Sequence, residues 1–236
     1  LKMNNVDILA FGAHPDDVEL GCGGTIIKSV KKGYKVGVVD LTMGELGTRG
    51  DSKIRGHESQ KASEILGLSY RENLSLKDGF IVNNNEAKIK VISLIRKYKP
   101  DIVFANSPLD RHPDHGVASK LILDSCFLSG LSKIYDNYSP WRPKAVYNYI
   151  QFYNLKPDFT VDISDFINLK MEAIKAYSSQ FYNPESEEPS TVISSKEFLN
   201  NIKGRSADLG MTSGVKYAEG FISQKTICLD DIISLK

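Results

Sequence analysis

Two short segments of this chain repeat the order histidine, proline, aspartate. Residues 14–17 read HPDD, and residues 110–115 read DRHPDH. Together they hold three of the four histidines in the chain. Imidazole and carboxylate groups bind divalent metal ions at catalytic sites, where about three protein ligands leave one position open for water. The two segments therefore predict a catalytic metal centre.

The first segment can supply two ligands and a base. His14 and Asp17 are three residues apart across a predicted strand-to-helix turn. Pro15 suits that turn, because the first residue of a helix needs no N–H partner. The spacing lets an imidazole and a carboxylate reach one point, and His115 can add a third ligand from the other segment. Asp16 would then lie beside the metal without binding it, as a general base.

The second segment offers two further roles. His112 is expected to face the substrate, where an imidazolium could stabilise an oxyanion or protonate a leaving amine. Asp114 is expected to orient one of the histidines without binding the metal. For either segment alone, a structural explanation stays open, since aspartate often caps helices. Both segments together favour a functional site.

Alternating apolar runs and helical stripes indicate the elements that must position these residues. Strands are predicted at 6–13, 35–42, 71–74 and 101–105, and helices at 16–32, 53–66, 87–97 and 116–126. This order predicts an α/β fold, a Rossmann-like three-layer sandwich with a mostly parallel sheet. Ligands bind beyond the carboxyl ends of parallel strands. Both histidine segments follow predicted strands, so both fall at that edge.

The second half of the chain is less regular, and an irregular C-terminal part is expected. Strands are predicted at 145–152 and 159–161, and Ser164 is expected to cap a helix that runs to about residue 176. Residues 183–194 are polar and acidic and contain two prolines, which indicates a surface loop near the site. No composition shift marks a boundary, so a single domain over 1–236 is expected.

Composition excludes several classes of protein. The 236 residues include 30 basic and 29 acidic side chains, a balance that argues against a nucleic-acid-coating protein. No apolar run approaches the ~20 residues of a membrane-spanning helix. Cys22, Cys126 and Cys228 are far apart and form no CxxC motif, so three buried, unpaired thiols are expected. A reducing compartment, and hence the cytoplasm, is the expected location.

Sequence motifs also indicate a family. AHPDD at 13–17, followed by Glu19, and HPDH at 112–115 resemble the PIG-L/LmbE-type zinc deacetylases, which act on N-acetylglucosamine conjugates. The resemblance covers most of the chain and includes GE at 44–45, TRG at 48–50 and YSSQ at 177–180. Chain length, the GTRGD loop and YSSQ most resemble the bacterial deacetylases of bacillithiol biosynthesis. Those enzymes remove acetate from N-acetylglucosaminyl-malate.

The resemblance implies the same metal site. His14, Asp17 and His115 would hold one Zn²⁺ per chain, although Fe²⁺ could also fill such a site. Asp16 would be the general base, and His112 would stabilise the tetrahedral intermediate.

The resemblance also implies substrate contacts and partners. Arg55 would bind substrate, since a guanidinium suits a carboxylate such as that of malate. Glu45 would accept hydrogen bonds from sugar hydroxyls. The expected partner is a small amino-sugar conjugate, without nucleic acid or membrane. A homo-oligomer, such as a trimer or hexamer, is also expected.

Three alternatives stay open at this stage. The substrate could be another N-acetylglucosamine conjugate. The protein could instead be a metal-dependent phosphoesterase. Such enzymes usually need two metals about 3.5–4 Å apart and more carboxylates, whereas only one full ligand set is visible here, so this alternative ranks lower. The third alternative is a non-catalytic sugar- or nucleotide-binding module, and the absence of a GxGxxG or P-loop motif weakens its nucleotide version. The glycine-rich residues 21–24 are interpreted as close helix packing, and His57 as a surface residue.

Overall fold

A twisted sheet of seven strands organises residues 5–229, 231 and 233, which this computed structural model describes. The strands are β1 (Ile8–Gly12), β2 (Val36–Thr42), β3 (Tyr70–Leu76), β4 (Ile102–Ala105), β5 (Ala145–Tyr149), β6 (Phe159–Asp162) and β7 (Ala218–Ser223). Their order is β3-β2-β1-β4-β5-β7-β6. Strands β1 to β5 pair in parallel, whereas β7 pairs antiparallel with both β5 and β6. The predicted mostly parallel sheet is therefore confirmed.

Helices cover both faces of this sheet. They are α1 (Asp17–Lys31), α2 (Ser52–Leu66), α3 (Asn85–Tyr98), α4 (Pro113–Leu128), α5 (Ile167–Lys175) and α6 (Lys196–Thr212). Successive side chains of β1 alternate between the faces: Leu9 and Phe11 pack with α3 and α4, whereas Ile8 and Ala10 pack with α1. Because both faces are buried, β1 carries the continuous apolar run from which it was predicted. The three-layer sandwich is confirmed.

The second half of the chain departs from two expectations. The helix expected to begin after Ser164 begins at Ile167, and Phe166 precedes it without a side-chain cap. Ser164 instead hydrogen-bonds Asp162 and accepts the N–H of Tyr217, so its hydroxyl ties two strands together. The prediction of a Ser164 cap was wrong. Helix α6 and strand β7 were not predicted, and β7 inserts between β5 and β6.

The glycine-rich stretch of α1 does serve close packing. A Cβ at Gly21 would lie 2.7 Å from Cε2 of Tyr149, and a Cβ at Gly24 would lie 2.8 Å from Ile163 Cδ1. The helix is interrupted at Cys22, whose φ and ψ of −143° and 19° are non-helical. Helix α1 therefore lies directly against its neighbours at these glycines.

Cysteine burial is mixed. Cys22 and Cys126 are buried, but Cys228 is exposed, so the expectation of three buried thiols was wrong for Cys228. All three are unpaired, as expected. None of the helices within the described residues combines the length and apolar character that a membrane span requires.

Candidate active site

The carboxyl ends of the five parallel strands converge on one cavity of about 530 Å³. Four of these strands are followed by polar side chains that line the cavity. They are His14, Asp16 and Asp17 after β1, Asp78 after β3, Asp110, His112 and His115 after β4, and Gln151 after β5. The edge of the sheet where ligands were expected is therefore the edge where these side chains meet.

Asp16 occupies an unusual turn between β1 and α1. Its φ of 113° lies in the left-handed region, which costs a non-glycine residue about 1–3 kcal/mol. Nη2 of Arg55 lies 3.1 Å from Oδ2 of Asp16 and also donates to the carbonyl of Pro15. Burial raises the pKa of Asp16 to about 7, against the opposing charge of Arg55. The turn thus presents a buried carboxyl group at the cavity.

The carboxylate of Asp17 has four polar neighbours. Its Oδ2 accepts the N–H of His14 at 2.9 Å and the amide of Asn106 at 3.0 Å. Its Oδ1 accepts the amide of Gln151 at 2.6 Å and lies 3.2 Å from Nε2 of His115. Burial would raise its pKa, but the neighbouring His115 and His14 hold it well below the usual range. Asp17 is therefore a fixed carboxylate.

The histidines lie against one another and against further carboxylates. Ring centroids of His14 and His112 are 4.4 Å apart, and those of His14 and His115 are 5.4 Å apart. Nε2 of His14 lies 3.1 Å from Asp78 and 3.2 Å from Asp114. These contacts fix the orientation of the His14 ring.

This donor set fits a divalent cation. Single nitrogen atoms of His14, His112 and His115 lie within 4.8 Å of one another, and Asp17 contacts both His14 and His115. Burial would lower the pKa of His115, but Asp17 and Asp110 raise it to about 9. The buried carboxylates thus require positive charge at this point, which a metal ion would supply.

His112 has a different hydrogen-bonding role. It precedes α4, and its Nδ1 accepts the N–H of Asp114 at 3.3 Å. Burial and the nearby His14 and His115 lower the pKa of His112. A neutral ring whose Nδ1 accepts carries its proton on Nε2. His112 can therefore act as a hydrogen-bond donor, and the expected role of its imidazolium stays a prediction.

The two expected substrate contacts differ in position. Arg55 lines the cavity, but its guanidinium already contacts Asp16. Glu45 does not line the cavity: its carboxylate accepts the N–H groups of Met43 and Asp78, at 3.2 and 2.9 Å. Glu45 holds the loop that carries Asp78, and its role as a sugar contact stays a prediction that this position does not support.

Asp114 contacts a histidine, as expected. Two further carboxylates that contact histidines, those of Asp78 and Asp110, were not predicted. Asp114 contacts His14 and accepts the N–H of Gly79 at 2.8 Å. Asp78 makes the matching contact to His14, and Oδ1 of Asp110 lies 3.2 Å from Nδ1 of His115. Asp78 follows β3 just as His14 follows β1, so the rule of strand ends could have found it.

The remaining cavity walls come from the second half of the chain. They include Phe152, residues 191–193 of the predicted surface loop, and Phe198, Ile202 and Arg205 of α6. The loop is joined to the first half at two points: Glu188 accepts the N–H of Gly50 at 2.8 Å, and Ser186 accepts from Arg49 at 2.5 Å. The predicted loop therefore does lie at the cavity, whereas helix α6, which was not predicted, supplies another part of this wall.

Comparison with known proteins identifies the family. The family model described as PIG-L, GlcNAc-PI de-N-acetylase, matches residues 9–126. Diacetylchitobiose deacetylase of Thermococcus kodakarensis is 31% identical over 228 residues, which cover 90% of this chain and 81% of that protein. The probable N-acetyl-alpha-D-glucosaminyl L-malate deacetylase 2 of Bacillus anthracis is 23% identical over 192 residues, covering 75% and 83%.

Two solved structures are also similar. The conserved protein TT1542 from Thermus thermophilus superposes with a TM-score of 0.88 and 35% identity, covering 96% of this chain and 98% of that one. N,N'-diacetylchitobiose deacetylase from Pyrococcus horikoshii gives a TM-score of 0.81 and 28% identity, covering 92% and 83%.

These relatives define the class of protein. The chain is an N-deacetylase, which is a hydrolase of amides. It belongs to the PIG-L family of de-N-acetylases. The resemblance noted in the sequence is confirmed, and so is its broad expectation of a deacetylase for N-acetylglucosamine-type substrates.

Proposed function

We propose that this protein is a zinc-dependent deacetylase that removes acetate from an N-acetylglucosamine conjugate. The observation that carries the proposal is the contact of Asp17 with both His14 and His115 at the cavity, with the carboxyl group of Asp16 next in the chain. His14, Asp17 and His115 would hold the ion. When bound, zinc supplies Lewis acidity to the amide carbonyl and lowers the pKa of water.

The side chains around that ion have distinct tasks. Asp16 takes a proton from the attacking water, whose oxygen bonds to the carbonyl carbon. His112 donates from Nε2 to the carbonyl oxygen as negative charge develops there. The carbon–nitrogen bond then breaks, and Asp16 returns the proton to the leaving nitrogen. The products are acetate and a free amine.

Carboxylates behind the histidines support this arrangement. Asp110 contacts His115 through Nδ1, which leaves Nε2 of that ring on the side of Asp17. A carboxylate behind a ligating histidine sets its tautomer and its orientation. Two histidines and one carboxylate suit zinc, and Fe²⁺ is the alternative ion.

The first candidate conjugate is N-acetylglucosaminyl-malate, the substrate expected for bacillithiol biosynthesis. Likeness to the Bacillus anthracis protein supports it. The second candidate is diacetylchitobiose, which the likeness to the Thermococcus kodakarensis deacetylase supports at higher identity. Both substrates present the same N-acetyl group and differ in the part of the molecule beyond the sugar.

One experiment tests the proposal. The zinc-loaded protein is incubated with N-acetylglucosaminyl-malate, diacetylchitobiose or N-acetylglucosamine, and acetate and free amine are measured. We expect Asp16→Asn to keep zinc and to lose hydrolysis about 10²–10⁴-fold, the usual contribution of a general base. His57→Ala is the matched control, because His57 is exposed on α2. Full activity of Asp16→Asn would refute the role of Asp16, and a metal-free active enzyme would refute zinc dependence.

A further inference from the structure

Arg205 on α6 is a cavity-lining arginine whose hydrogen-bonding capacity is only partly used. Its Nη2 donates to the carbonyl of Phe152 at 2.7 Å. Its Nε is buried without a hydrogen-bond partner. The residue as a whole is half-buried. A buried donor without a partner is costly, so it normally has an acceptor in the functional state.

Arg96 shows how this fold satisfies an arginine that is only structural. The Arg96 side chain is buried in α3, and its Nε, Nη1 and Nη2 donate to the carbonyls of Ser129, Ile134 and Leu131 at 2.8–2.9 Å. Arg96 does not line the cavity. Arg205 differs from Arg96 because it lines the cavity and its Nε has no partner, a property that it shares with Arg49 and Arg55.

Carboxylates do not neutralise Arg205. Among the described residues, none has a carboxylate oxygen within 4 Å of its guanidinium. The acid that acts on it electrostatically is Asp110, but burial has the larger effect and lowers the pKa of Arg205. Asp110 is itself committed to Nδ1 of His115 and to the N–H groups of Phe152 and Arg111. Its charge is therefore already shared.

Three other arginines line the cavity, and two of them, Arg49 and Arg55, lie near carboxylates. Arg55 contacts Asp16, and Arg49 contacts Ser186 and lies 4.0 Å from Glu188. Arg111 and Arg205 flank Phe152, with the guanidinium of Arg111 4.9 Å from the ring centroid. This part of the wall therefore has uncompensated positive charge next to an aromatic ring.

We propose that Arg205 is a specificity-determining residue that binds a carboxylate on the part of the substrate beyond the N-acetylglucosamine. A planar guanidinium recognises a carboxylate through paired N–H donors, and here one donor is already free and buried. This inference rests on the proposed function and narrows its substrate to conjugates with an acidic aglycone.

The test compares an acidic and a neutral substrate in the zinc-loaded enzyme. The values of kcat and KM for N-acetylglucosaminyl-malate and for the methyl glycoside of N-acetylglucosamine are measured with wild type, Arg205→Gln and Arg205→Lys. Lys203→Gln is the matched control, since Lys203 is an exposed cation on the same helix, away from the cavity lining. Zinc content and Tm are measured for each variant.

We expect Arg205→Gln to raise KM for the malate conjugate about 10- to 100-fold, which is the usual effect of losing a hydrogen bond to a charged group. The preference for the malate conjugate over the methyl glycoside should fall by a similar factor. Arg205→Lys should recover part of that preference because it restores the charge. Lys203→Gln should match the wild type.

Three results would overturn the inference. Equal losses on both substrates would show that Arg205 only positions Phe152. An unchanged preference in Arg205→Gln would show that no carboxylate binds here. The same would follow if the wild type hydrolysed the methyl glycoside but not the malate conjugate. Calorimetric binding of the malate conjugate separates this inference from the proposed function. Binding that requires Arg205 without any acetate release would support the inference and refute the deacetylase proposal.

Discussion

Nη2 of Arg55 lies 3.1 Å from the carboxylate of Asp16, and both side chains are buried. The same Nη2 donates to the carbonyl of Pro15, within the strained turn that carries Asp16. From sequence, Arg55 was expected to bind a substrate carboxylate. In the structure it lines the cavity and holds the proposed base, so its contact with substrate stays a prediction.

This contact predicts how Arg55→Ala affects the enzyme. We expect kcat to fall about tenfold or more on every N-acetylated substrate, since a hydrogen bond to a buried charged group is lost. Because the loss arises at Asp16, acidic and neutral substrates should lose equally. Steady-state kinetics with both substrates check this. A loss confined to the malate conjugate would instead support a direct contact between Arg55 and the substrate carboxylate.

The metal centre makes a second prediction. We expect His14→Ala and His115→Ala to bind much less than one zinc per chain, whereas His57→Ala keeps the wild-type content. Asp110→Asn should weaken zinc binding by about 10- to 100-fold, as a change behind a ligating histidine does. Metal analysis after dialysis measures the content. Added zinc should raise Tm of the apo wild type but not of His14→Ala, because only a folded state with the site gains from binding.

Close packing at Gly21 makes a third prediction. A Cβ there would overlap the Tyr149 ring, so Gly21→Ala should lower the free energy of unfolding by about 1–3 kcal/mol, the usual effect of overpacking. Gly56 is the matched control, because it lies in α2 with open space around its Cα. Gly56→Ala should raise stability by about 0.5–1 kcal/mol. Urea denaturation of both variants checks the opposite signs.

A buried ion pair makes a fourth prediction. Nζ of Lys170 lies 2.6 Å from Oε1 of Glu219, and the Glu219 carboxylate also accepts the N–H groups of Gly24 and Thr25 at 2.9 and 2.7 Å. These N–H groups follow the interruption of α1 at Cys22. Glu219→Gln leaves Lys170 charged and unpaired, so the free energy of unfolding should fall by about 3–5 kcal/mol.

An exposed pair provides the control for Glu219. Glu86 and Lys90 form an exposed pair across one turn of α3 at 3.3 Å, and Glu86→Gln should change stability by less than ~1 kcal/mol. Denaturant titration measures both variants. Equal effects would show that burial does not strengthen the inner pair.

Local patterns were enough for much of the first half of the chain. Strand β1 could be predicted because both of its faces are buried, which leaves a continuous apolar run. Glycine at 67 ends α2 with a positive φ of 72°, as its place after the helical pattern predicted. The repeated His-Pro-Asp order and the rule that ligands bind at the carboxyl ends of strands predicted that these side chains meet at one edge of the sheet, as they do.

Contacts between distant segments were beyond those patterns. Strand β7 lies between β5 and β6, an order set by pairing rather than by any local signal. Helix α6 supplies Arg205 to the cavity from nearly one hundred positions after His112 in the chain. Asp78 was not predicted, but it contacts His14, whereas Glu45, which was expected to contact the sugar, accepts backbone N–H groups.

The sequence by itself determined the class of chemistry, because ligand types and strand ends are local properties that folding cannot change. Only the tertiary structure decided what each charged side chain contacts. Arg55 lies 3.1 Å from Asp16, whereas Arg205 has no carboxylate within 4 Å among the described residues, because charge pairing depends on distances across the fold. Those distances place Arg55 against the proposed base, and they are the ground on which Arg205 is proposed to contact the substrate.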